Sequence, residues 1–153
     1  MVDVAFQPQV NEFRGERSVQ LNVLDIRPHC NCPCDPDSSL HRRLQSGNLS
    51  AEEAARLLPS RQVLGAVWRY LADQGDRSIQ ENPICLCRKV VRRAGLELDT
   101  GMLLTCLDIF SEVGLLQLQR MNKYLQIRLV AVDGKADLQQ SSTMQRLLQL
   151  KES

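Results

Sequence analysis

Aromatic residues are scarce in this chain, at 4% of 153 residues, with Trp68 the single tryptophan. Surfaces that capture single-stranded nucleic acid unaided stack bases on aromatic rings, so such autonomy is not expected here. Charge of one sign is lacking as well. Nineteen Lys and Arg stand against 18 Asp and Glu, a formal net charge of +1. A chain-wide basic footprint for nucleic acid is thereby excluded, and only a local one stays open. No apolar run approaches the roughly 20 residues that span a bilayer, and the N-terminus has no signal-peptide core, which makes a cytoplasmic location the expectation. No nucleophile–base pair, phosphate-cradling glycine loop or carboxylate dyad is visible, so catalysis is not expected from these residues.

What is present begins with alternation. Val2, Val4 and Phe6 interleave with Asp3, Ala5 and Gln7, and Val19, Leu21 and Val23 interleave with Ser18, Gln20 and Asn22. Both runs read as strands, Gly15 gives the connection backbone freedom, and Pro28 ends the ladder because it has no N–H to donate. Residues 1–28 are therefore predicted to form a β-hairpin. Two strands alone are marginal in water, so the hairpin calls for a sheet that the chain does not contain. Phe13, at its tip, is the candidate for stacking on a base, with Arg14 beside it.

Residues 29–49 read as a linker rich in Cys and Pro, without periodicity. Six cysteines in a cytosolic chain are reduced thiols or metal ligands before they are disulfides. Cys30, Cys32 and Cys34 invite a zinc reading with His29 as fourth ligand. The usual knuckle leaves two residues between thiolates, and one-residue spacing stiffened by Pro33 makes that harder. An exposed, reduced, cysteine-rich linker is the reading kept.

From residue 50 to residue 133 the punctuation is helical. Ser50 and Glu53 form a capping box, and Pro59 stops that short helix. Ser60 caps a helix with Val63, Leu64, Val67, Trp68 and Leu71 on one face. Asn82-Pro83 starts a second that ends at Gly95, and Asp99 caps an apolar third that ends at Gly114. Leu116 and Leu118, then Leu125, Ile127 and Leu129, alternate around an Asn122-Lys123 turn. Helices followed by a hairpin give the order of a winged helix with a two-stranded wing, so the expected fold class is α+β. Residues 134–153 read as a polar tail with a short terminal helix.

The second of these helices separates by wheel position, with Arg88, Lys89, Arg92 and Arg93 on one arc. With Arg120, Lys123 and Arg128 in the wing they make a candidate phosphate-contacting face. The third helix, the groove reader in a duplex-binding winged helix, offers Thr105, Asp108 and Glu112 on its polar side, and carboxylates repel phosphates. Sequence-specific duplex recognition by that helix is therefore not expected. Cys85 and Cys87 point apart on a helix and cannot share a metal ion; Cys87 is expected in the core and Trp68 as a core anchor.

Several segments carry a resemblance. Phe6-x-Pro8, Asn11-Glu12-Phe13-x-Gly15, Val19-Gln20-Leu21 and Asp25-Ile26-Arg27-Pro28 resemble, in order and without gaps, the last strands of the OB-fold of RecJ, the bacterial 5′→3′ exonuclease specific for single-stranded DNA. Leu58-Pro59-Ser60-Arg61 through Trp68-Arg69-Tyr70-Leu71, and Gly134-Lys135-Ala136-Asp137-Leu138-Gln139-Gln140-Ser141, are similar to the C-terminal extension of that family. The family's Asp-rich motifs and Asp-His-His signature are absent, and His29 and His41 are not adjacent. The resemblance thus implies a C-terminal fragment without the catalytic core, which in the parent enzyme uses divalent metal, Mn²⁺ or Mg²⁺, in recombination and repair. It implies single-stranded DNA as partner, or the single-stranded-DNA-binding protein, whose acidic tail suits the same basic arc. The rival reading is a protein-interaction or dimerisation module that docks through the apolar third helix and the wing edge, with no role for nucleic acid.

Overall fold

Alternation and capping residues set the elements of this α+β chain, of which the computed structural model describes residues 2–13, 15–28, 36–75, 78–121, 123–132 and 136–152. The chain divides into two units, Met1–Cys32 and Pro33–Ser153.

The first unit is an antiparallel hairpin of β1 (Val2–Phe13) and β2 (Glu16–Pro28). Gly15 makes the turn at φ 82°, where a side chain would be strained. Phe6 lies opposite Val23, Pro8 opposite Leu21 and Val10 opposite Val19, so the alternating apolar residues share one face. That face is open: Val10 is 65% and Val19 70% exposed. The other face is an amide ladder, with Asn11 Nδ2 donating to Gln20 Oε1 at 2.7 Å and Asn22 Nδ2 to Gln9 Oε1 at 2.9 Å.

The second unit runs α1 (Pro36–Ser46), α2 (Ala51–Leu57), α3 (Arg61–Ala72), β3 (Ile79–Glu81), α4 (Pro83–Ala94), α5 (Thr100–Glu112), β4 (Leu116–Arg120), β5 (Leu125–Leu129), a 3₁₀ turn (Leu138–Gln140) and α6 (Ser142–Glu152). The start signals fall where sequence puts them. Ser50 and Glu53 close a reciprocal capping box, and Ser60, Asn82 and Asp99 cap α3, α4 and α5. Pro83 sits in the first turn of α4, and Gly95 ends it in the left-handed region.

Helix α5 is the centre of the unit. Leu103, Leu104, Cys106, Leu107, Ile109 and Phe110 are all buried, which covers most of its circumference. A helix apolar on every side needs neighbours on every side, and α1, α2, α3, α4, α6 and β4 all pack on it. Trp68 of α3 meets the Phe110 ring edge-on at 5.5 Å, an arrangement worth about 1 kcal/mol beyond burial. Ile127 of β5 closes this core. A second cluster joins Leu40 and Leu44 of α1, Leu49, Ala54 and Leu57, and Leu147 of α6.

Three expectations are corrected. Within residues 29–49, read as a linker, Pro36–Ser46 is a helix. Its proline suits a helix start rather than breaking one, and its buried face is made of Leu40, Leu44 and His41, so a nominally polar residue hides the periodicity. The terminal helix is not an appendage to a polar tail, because Met144 and Leu147 are buried core residues. The expected β4–β5 hairpin is not alone: β3 pairs with β5, giving the order β3–β5–β4 in a three-stranded antiparallel sheet. Three residues (Ile79–Glu81) are too few to announce a strand by alternation. Among the described residues no helix is long and apolar enough to cross a membrane.

Candidate nucleic-acid interface

The basic face of α4 follows from its wheel: Leu86, Cys87 and Val90 are buried, and Arg88, Lys89, Arg92 and Arg93 are exposed. These cations differ in what surrounds them. Lys89 pairs with Glu81 of β3, and its ammonium is held above the ordinary lysine value chiefly by that hydrogen bond. Arg93 lies 3.7 Å from Asp73, in a crevice shared with Arg69 and Tyr70 of α3. Arg88 and Arg92, one turn apart, meet no carboxylate among the described residues.

The β4–β5 hairpin divides the same way. Strand alternation turns Leu116, Leu118 and Arg120 toward α5, and Gln117 and Gln119 outward. Arg120 therefore points inward, where Nη2 donates to Asp108 Oδ1 at 2.5 Å. Asp108 Oδ2 lies 2.7 Å from Nε2 of His41, which is 1% exposed. Burial pushes the Asp108 carboxyl up, but the His41 hydrogen bond and the Arg120 charge outweigh it and hold it below the ordinary aspartate value. The ionised carboxylate can only accept, so His41 Nε2 carries the hydrogen. The 3.4 Å approach of Arg120 Nη2 to that nitrogen sets two donors face to face, so the link between them is the shared carboxylate. Arg120, expected from sequence as a phosphate contact, is the cation of this ion pair, with its side chain 36% exposed. Lys123 and Arg128 stay exposed with no carboxylate partner among the described residues.

Glu112 is also used internally. It accepts from Ser141 Oγ at 2.5 Å, Thr143 N at 3.0 Å and Thr143 Oγ1 at 2.6 Å, at the first turn of α6. Desolvation raises its pKa and these donors more than offset that, leaving it lowered. The two carboxylates that sequence reading turns toward solvent on α5 thus fasten α1, β4 and α6 to it. The rival reading expects α5 as a docking face, and the apolar residues of α5 are buried or half-buried.

Phe13 belongs to β1 through its backbone, whereas Arg14, His29, Cys30, Cys32 and Cys34 lie outside the described residues. Among the described residues, no three His, Cys, Asp or Glu side chains gather as metal ligands. Cys87 is buried and its Sγ donates to Leu98 O at 3.3 Å; burial pushes the Cys106 thiol far up. Two features are missed by sequence reading. Tyr124 stands 50% exposed at the β4–β5 turn, where the signal used for Phe13, an aromatic beside a hairpin tip, applies equally. An apolar groove lined by Leu64, Trp68, Phe110, Leu115, Val130 and Leu138, with Arg61 among its walls, needs residues from five segments and leaves no local signal.

No family model matches this chain, and no curated protein or solved structure matches it either.

Proposed function

We propose that this chain is an accessory, non-catalytic region of a single-stranded-DNA exonuclease of the RecJ type, and that it contacts DNA phosphates. In this reading the hairpin is the end of an OB-fold, and the α3–β3–α4–α5–β4–β5 segment, with its β3–β5–β4 sheet, is a winged helix. The metal-dependent chemistry, on Mn²⁺ or Mg²⁺, belongs to a catalytic core supplied by the parent chain. What supports the OB-fold part is the resemblance in residues 6–28 together with a hairpin whose apolar face lacks a covering sheet.

The observation that carries the phosphate reading is the division among the cations. Arg88, Arg92, Lys123 and Arg128 are exposed without a carboxylate partner among the described residues, whereas Lys89, Arg93 and Arg120 are engaged. Unpaired cations release counterions on meeting phosphates, so the affinity should be weak, indifferent to base sequence and steep in salt. Fluorescence anisotropy of a labelled oligothymidylate, titrated across ionic strengths, tests this. Replacing both Arg88 and Arg92 by Ala should lower the salt slope by about 0.7 for each phosphate that is no longer neutralised, with stability unchanged. A double variant with the parent's slope would refute the assignment. A second reading, docking of the acidic tail of the single-stranded-DNA-binding protein, is favoured by the apolar groove with Arg61 in its wall. An Arg61→Ala variant that loses such a peptide while keeping DNA would support it.

A further inference from the structure

The solvent side of the three-stranded sheet has a chemistry that the basic helix does not explain. Gln117 lies opposite Arg128 and Gln119 opposite Gln126 on the outward parity of β4 and β5, and Gln80 of β3 extends the row beside Gln126. At the tip, Met121 and Tyr124 exchange backbone hydrogen bonds, Met121 N to Tyr124 O at 2.8 Å and Tyr124 N to Met121 O at 3.3 Å. Residues bonded in this way sit directly opposite, so their side chains share a face. Alternation from Gln119 and Gln126 makes it the same outward face. Met121 is 53% and Tyr124 50% exposed.

We infer that this face is a stacking platform for single-stranded nucleic acid, with Tyr124 as the ring on which a base lies. The inference rests on the phosphate-contacting role proposed above and adds a base-contacting surface to it. Three observations favour this occupant. The described outward positions carry the cation Arg128 and no carboxylate, and exposed Lys123 lies in the adjoining turn, which complements a phosphate backbone. Glutamine amides offer donors and acceptors together, as base edges do, whereas a purely acidic peptide would use only the donors. The ring is exposed on a projecting turn rather than recessed in a groove, and paired bases in a duplex have no open π-face to receive it. Met121 beside it gives the stacked base an apolar floor.

The test is anisotropy with labelled oligothymidylate on the full chain, comparing Tyr124→Ala, Tyr124→Phe, Arg128→Ala and the Arg88→Ala, Arg92→Ala double variant. Removal of the ring should weaken binding about tenfold without changing the salt slope. Tyr124→Phe should bind like the parent, and Arg128→Ala should lower the slope by about 0.7. Crosslinking to an oligonucleotide bearing 5-iodouracil should label Tyr124. The platform is overturned if Tyr124→Ala binds like the parent, or if Phe and Ala lose affinity equally, which would make the hydroxyl the contact. Displacement of the DNA by an Asp/Glu-rich peptide that is insensitive to Tyr124→Ala would also overturn it, in favour of an acidic protein partner. If Tyr124→Ala is silent while the double arginine variant flattens the slope, the platform alone fails. If no oligonucleotide binds at low salt, the phosphate reading fails with it.

Discussion

The two units handle the same kinds of apolar residue in opposite ways. In the hairpin, Val10, Val19, Leu21 and Val23 line one face and are all exposed, although the strands pair from Val2 opposite Pro28 to Phe13 opposite Glu16. In the helical unit, leucines from seven other elements are buried with those of α5. The contrast teaches that backbone pairing and core formation are separable. A ladder is satisfied by its own hydrogen bonds, while its hydrophobic face waits for a second layer.

The sharpest way to break that comparison is one substitution made twice. Leu107→Ala, at a fully buried site, should cost about 2–5 kcal/mol, the usual range for a leucine truncated in a core. Leu21→Ala, on the open hairpin face, should stay within about 0.5 kcal/mol. Urea unfolding followed by Trp68 fluorescence and far-ultraviolet circular dichroism measures both. A Leu21→Ala midpoint that falls as far as that of Leu107→Ala would show that the hairpin face is covered.

Next in size is the half-buried carboxylate of Asp108. Asp108→Ala leaves His41 and Arg120 without their shared acceptor and should cost about 3 kcal/mol. The folded-state pKa of Asp108 is lowered, so its contribution is complete above the ordinary aspartate value and is lost as pH falls through the folded one. Asp108→Asn should therefore flatten the acid limb of the stability curve. Glu12→Gln, in the exposed hairpin pair with Arg17 at 3.3 Å, should change stability by less than about 1 kcal/mol. An equal loss from Asp108→Ala and Glu12→Gln in urea unfolding would dissolve the distinction between the units.

The smallest expected effect is at the start of α6. Ser141 Oγ accepts from Met144 N at 3.1 Å while donating to Glu112, and Ser141→Ala should cost about 1 kcal/mol, the typical worth of such a cap. In the hairpin, Asn11→Ala removes a comparable but solvent-exposed bond and should be nearly silent in the same urea titration.

Much of this architecture is legible in the sequence because its signals are local. The hairpin alternation and the caps at Ser50, Ser60, Asn82 and Asp99 each lie within a few residues of the element they define. Helix α1 is not legible, because its third inward residue is His41, whose burial makes sense only once Asp108 stands opposite, 67 positions further on. Strand β3 exists because β5 offers it an edge, a fact no local window contains. The candidate interface is legible to the same extent. Wheel position alone gives the exposure of Arg88 and Arg92. That Arg120 turns inward while Arg128 turns outward depends on which face of the sheet meets α5. Sequence alternation separates those faces without saying which one the core takes.

Asn82 has one further consequence. Its Oδ1 accepts from Ile84 N at 2.9 Å to begin α4, and its Nδ2 donates to Lys123 O at 3.2 Å in the β4–β5 turn. One planar amide thus serves as a pin through two elements that are 41 positions apart in the chain. Its ends are not interchangeable, since a flipped amide would point a donor at a donor and an acceptor at an acceptor. Leverage applied at the turn is therefore transmitted to the first peptide of the helix. The exchange rate of the Ile84 amide proton becomes a gauge of strain at a loop that Ile84 does not belong to.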